Sequence, residues 1–108
     1  MQPNRYTEIY APLREQAADL QNKFHDFNAG KLEHPQAHAI HHEIRQLVQD
    51  IDLKKDPKAI EHRIKAVQTQ LKQSQHLAQP IMDYTHYDYM HENFGNMLKE
   101  VQKIDHTV

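Results

Sequence analysis

Ten histidines stand among 108 residues, and no cysteine accompanies them. Imidazole changes charge near neutral pH and is the commonest metal ligand. The formal net charge is -2 with every histidine neutral, and protonating all ten takes it to +8. The chain therefore changes sign over a narrow range of pH. Without thiols, disulfides, thiolate zinc sites and cysteine nucleophiles are excluded. Any metal would rest on imidazole and carboxylate.

Three groupings of these residues could do chemistry. His41 and His91 both fall inside apolar rows, and Asp88 precedes His91 by three positions. A carboxylate three residues before a histidine is the spacing used in the metal sites of helical-bundle cores. Zinc, iron or haem are the groups such a core could take. Asp83 and His86 repeat the spacing five residues earlier on the same segment. Two copies on one helix point in different directions, whereas carboxylate-bridged di-iron sites want them on separate helices. The plain alternative is a pair of core or boundary histidines satisfied by tyrosine hydroxyls or backbone.

The second grouping is His38 and His42, four apart and so neighbours on one helix face. Such a pair can hold zinc, copper or nickel through neutral imidazoles. Ala39 stands where the HExxH metalloprotease motif needs glutamate, so that chemistry is not supported.

The third is DYTHYDYMHENF, residues 83–94, where tyrosine, methionine, phenylalanine and histidine crowd together. Tyr87, Met90, His91 and Phe94 share an inward row, which leaves Tyr84, His86 and Tyr89 at the periphery. Tyrosine and methionine are enriched at protein interfaces. Tyr84, His86, Tyr89 and Met90 are therefore the candidate partner-binding residues, for another protein or a second copy of this chain. The competing reading is ordinary packing of this stretch against Tyr6 and Tyr10.

Other catalytic patterns are missing. Ser74 is the only serine and lies in a helical row, with no glycine-bounded elbow. Gly30 and Gly95 are the only glycines and cannot build a phosphate loop. Asp50, Asp52 and Asp56 read as helix ends and caps rather than acid–base pairs. Basic residues form no stripe of the kind nucleic-acid binders carry. The expectation is a non-enzymatic binding module. No run approaches the roughly 18–20 apolar residues of a membrane span, and the N-terminus has no secretory pattern. Zero cysteine fits a reducing compartment, and the expected location is cytoplasmic.

The elements that must position these residues are helices. Few glycines and abundant alanine, leucine, glutamine, lysine and glutamate favour them. In the first segment Tyr6, Ile9, Tyr10, Leu13, Ala17, Leu20, Phe24 and Phe27 recur at threes and fours, in phase across Pro12. Gly30 suits its C-terminal cap. The second opens at His34-Pro35 and carries Ala37, Ile40, His41, Ile44, Leu47, Val48 and Ile51. The third opens at Asp56-Pro57 and carries Ile60, Ile64, Val67, Leu71, Ser74 and Ala78. Its narrow row predicts the most exposed of the helices. After Pro80 the fourth carries Tyr84, Tyr87, Met90, His91, Phe94, Met97, Leu98, Val101 and Ile104.

Short connections make neighbours antiparallel. The expected fold is all-α, a small antiparallel four-helix bundle in one domain spanning 1–108. The alternative is three long helices with a kink at Pro80. In the bundle, segments two and four run the same way, with His41 and His91 about one turn apart in level.

Overall fold

The computed structural model describes residues 5–28, 34–77 and 80–107. It has helices α1 (Arg5–Phe27), α2 (Pro35–Asp52), α3 (Pro57–Ser74) and α4 (Tyr84–Thr107), and no strand among the described residues. Gly30, Ala78 and the side chains of Tyr6, Ile9 and Ile104 lie outside what is described.

Local chemistry sets the helix ends. Pro35 and Pro57 occupy the first turns of α2 and α3, where a missing N–H costs nothing. Asp56 caps α3 by accepting the Ala59 N–H at 3.1 Å. His34 does the same for α2, its Nδ1 accepting from the Gln36 N–H at 3.1 Å. Pro12 sits inside α1 without ending it, and its ring lies on the exposed side. Pro80 lies in the connection between α3 and α4. The Asp83 carboxylate accepts the His86 N–H at 3.0 Å, starting α4 afresh. The chain is therefore four helices rather than three.

Contacts at the helix ends fix the up-down topology. The Tyr10 hydroxyl donates to the Lys55 carbonyl, which brings the start of α1 to the α2–α3 turn. Gln36 at the start of α2 donates to Gln70 near the end of α3 at 2.7 Å. The Tyr87 hydroxyl, at the start of α4, donates to the Ser74 carbonyl at 3.2 Å. Phe27 at the end of α1 stacks on His86 near the start of α4. Each helix thus packs on two neighbours, α4 closing back on α1, with α1/α3 and α2/α4 as the diagonals.

The core follows the apolar rows. Leu20, Phe24, Ile40, Ile44, Leu47, Ile60, Ile64, Leu71, Met90 and Phe94 are fully buried. Burying each such side chain is worth roughly 1.5–3 kcal/mol of transfer free energy. Tyr10 belongs to the opposite end from residues 83–94, so it does not pack there.

The expectation that α3 is the most exposed helix is corrected. It buries six residues, as many as α2. Its polar side chains are drawn into the seams by hydrogen bonds: Gln70 to Gln36, Arg63 to Asp50 and Glu43, and Glu61 to Gln102. The Gln102 amide, with help from Lys65, outweighs burial and holds the Glu61 carboxyl below its ordinary pKa.

Asp50 lies in the last turn of α2, as expected, but its side chain does more than mark the helix end. It is buried, with Lys55 Nζ and Arg63 Nε each 3.1 Å from its carboxylate. Burial opposes the charge on Arg63, but the hydrogen bonds and charges of Asp50 and Glu43 prevail and raise its pKa. The turn beside it closes with Lys54 at φ 53°, in the left-handed region. The Lys54 and Lys55 N–H groups donate back to Ile51 and Asp50, the pattern of a Schellman cap.

Candidate functional site

Roughly two turns of each helix bring eight of the ten histidines to one end of the bundle. His25 comes from the end of α1, and His34, His38, His41 and His42 from the start of α2. His76 follows α3, and His86 and His91 lie early in α4. His62 and His106 lie towards the opposite end. The described charged residues in the same turns are Lys23 and Lys72 against Asp26, Asp83 and Asp88, a net of -1 with neutral imidazoles. The sign change written into the composition is thus concentrated at one end of the molecule.

The expected convergence of His41, Asp88 and His91 does not form. Asp88 and His91 are exposed on α4, and α2 and α4 face each other across the diagonal. The buried row of α4 is Tyr87, Met90, Phe94, Met97 and Val101, a narrow seam at alternating threes and fours. His91 is one position past Met90, about 100° around the helix, and the seam does not reach it. His38 and His42 are both exposed on α2, as a surface pair. Among the described residues no group of three or more histidine, aspartate or glutamate side chains is placed to hold a metal ion.

His41 has a different environment. It is half-buried at the α1–α2 seam. Burial, then the positive charges of Arg45, His25 and His38, lower its pKa from the ordinary 6.5.

At the α1–α4 seam two of the peripheral residues of 83–94, His86 and Tyr89, assemble on Phe27. The His86 ring lies on Phe27 with centroids 3.9 Å apart and planes within 5°. Tyr89 meets the same Phe27 edge-on, centroids 5.7 Å apart. Asp83 Oδ1 is 3.1 Å from His86 Nδ1, so one carboxylate holds both the helix start and the imidazole. Tyr84 is 71% exposed and Tyr89 38%. Met90, expected in this patch, is corrected: it is fully buried in the core, because the inward row claims it. Phe27, which sequence reasoning assigned only to the core row of α1, is half-buried and forms the floor of the patch. Its position as the last residue of that row, at a helix end, is the signal that could have marked it.

Comparison with known proteins finds no match among protein-family models, curated proteins or solved structures.

Proposed function

We propose that the protein is a non-enzymatic binding module, acting in the cytoplasm, that presents the Phe27–Tyr84–His86–Tyr89 patch to a protein partner or to a second copy of itself. The observation carrying this reading is the exposed Tyr89 set edge-on to a phenylalanine–histidine stack, with Tyr84 also exposed at the start of the same helix. Large exposed hydrophobics are otherwise scarce: among the described residues only Leu53 joins Tyr84 and Tyr89. Aromatic side chains bury large area with few rotatable bonds, which suits them to anchor an interface. The stack fixes two of the four rings before any partner arrives, which lowers the ordering cost of association.

The test is a Tyr84→Ala/Tyr89→Ala double variant. Its oligomeric state by light scattering, and its set of cross-linked partners, are compared with the parent protein at equal folded fraction. Loss of self-association or of a specific partner supports the patch. An unchanged oligomer and an unchanged partner set would place binding elsewhere.

A further inference from the structure

His38 and His42 stand four apart on the face of α2 turned away from the bundle, and both are exposed. We propose that this pair is half of a metal site: a zinc ion, or copper or nickel in its place, binds both imidazoles and is completed by the same pair from a second copy of the chain. α2 lies diagonally across the bundle from α4, so this site and the aromatic patch do not overlap. The site stands independently of the binding role proposed above.

The pair has the reach for one ion. Residues four apart on a helix hold their Cβ atoms about 5–6 Å from one another. Two imidazoles at that spacing close on one ion with Zn–N bonds of about 2.0–2.1 Å. The donors select the metal. Neutral nitrogen without carboxylate suits zinc, copper and nickel, whereas magnesium and calcium require oxygen.

One chain does not complete the site. Zinc takes four ligands, and the pair supplies two. His34 lies one turn back, but its Nδ1 accepts the Gln36 N–H at 3.1 Å to cap α2. In a neutral imidazole so engaged the proton sits on Nε2, and neither nitrogen has a free lone pair for a metal. His41 sits about 100° around the helix from His42, half-buried at the α1–α2 seam. Glu43, the carboxylate next to His42 in sequence, is drawn to Arg63 of α3 at 3.0 Å. Among the described residues no third histidine, aspartate or glutamate joins the pair.

The face around the pair points to what supplies the rest. The exposed residues of α2 are Pro35, His38, His42, Arg45, Gln49 and Asp52. Asp52 is taken by Arg14 of α1 at 2.6 Å, which leaves Arg45 as the one exposed charge from Pro35 to Gln49. The outer faces of the neighbouring helices are different: α3 repeats Lys58, Lys65 and Lys72, and α4 exposes Asp88, Glu92 and Lys99. Two copies of α2 therefore meet with little like-charge repulsion and little charge to strip of water. A two-fold axis through the ion places the same two imidazoles on its other side. Four nitrogens then surround it tetrahedrally, all from one repeated surface.

Light scattering on the full, tag-free chain, first freed of metal with EDTA, tests this. Half an equivalent of zinc per chain should double the mass, and equilibrium dialysis should find one ion bound per two chains. EDTA should reverse the doubling, and magnesium should not produce it. His38→Ala and His42→Ala, both at exposed helical positions, should each abolish it in a protein that still folds. Zinc bound without a change of mass, doubling that survives either substitution, or no zinc bound at all would overturn the site. The Tyr84→Ala/Tyr89→Ala protein should keep the zinc response in full, so the α2 site and the aromatic patch fail separately.

Discussion

The imidazole of His86 lies flat on the ring of Phe27, centroids 3.9 Å apart and planes within 5°, tying the end of α1 to the start of α4. The two residues are 59 positions apart in sequence and meet only because the bundle closes. A double-mutant cycle of Phe27→Ala and His86→Ala should give a coupling of about 0.5–1.5 kcal/mol in urea unfolding. Coupling near zero would mean that the stack is only an adjacency.

Two ion pairs of similar geometry should behave very differently. Asp50 is buried between Lys55 and Arg63, whereas Arg14 and Asp52, 2.6 Å apart, are both largely exposed. Asp50→Ala leaves the half-buried Arg63 with Glu43 alone and should cost about 3 kcal/mol. Arg14→Ala should cost less than about 1 kcal/mol and fade in salt. Urea midpoints at low and high ionic strength separate the two.

Residues 84–90 divide into core and surface although they are contiguous. Met90 is fully buried, and Met90→Ala should cost about 2–5 kcal/mol. Tyr84→Ala should change stability by no more than about 0.5 kcal/mol. Tyr89→Ala should cost a little more, through its edge contact with Phe27. Thermal melts of the three variants check the order. A destabilisation by Tyr84→Ala equal to that of Met90→Ala would contradict the placement of the patch.

The apolar rows and the prolines made the helices legible. Threes-and-fours spacing carried Ile60, Ile64, Val67 and Leu71 straight into the core, and Asp56-Pro57 announced α3. What remained hidden depends on partners distant in sequence. Nothing around Asp50 shows that Arg63 and Lys55 will surround it. Nothing in the row Tyr84, Tyr87, His91, Leu98 says how wide the seam of α4 is, and that width decides His91 against Met90. The cap at His34 stood behind Pro35, whose place in the first turn already accounted for the start of α2. The left-handed turn at Lys54 carries no glycine or asparagine to announce it.

Among the described residues zinc should find only the exposed His38/His42 pair. Free zinc near the dissociation constant of such a pair stabilises a folded protein by only about 0.4 kcal/mol. The expected melting-temperature rise in tag-free protein is therefore about 1–3 °C, abolished by His38→Ala. A larger rise that survives His38→Ala would require ligands converging elsewhere.

The two unusual backbone positions call for opposite substitutions. Lys54 holds φ 53°, a conformation that costs a side-chain-bearing residue roughly 1 kcal/mol and costs glycine nothing. Lys54→Gly should recover about that much, since the Lys54 N–H bond to Ile51 is made by backbone alone. Gly95 lies inside α4, where glycine is about 1 kcal/mol worse than alanine. A glycine inside a helix can mark a close helix approach or a bend. A Cβ added there meets Gln68 Nε2 of α3 at 3.6 Å, an ordinary contact with the end of a flexible side chain. No close approach therefore demands glycine, and Gly95→Ala should stabilise by about 0.5–1 kcal/mol. The sites are far apart and share no partner, so the double variant should show the sum within about 0.5 kcal/mol. Destabilisation by Gly95→Ala in urea unfolding would show that α3 and α4 pack more tightly at Gln68 than this geometry has them.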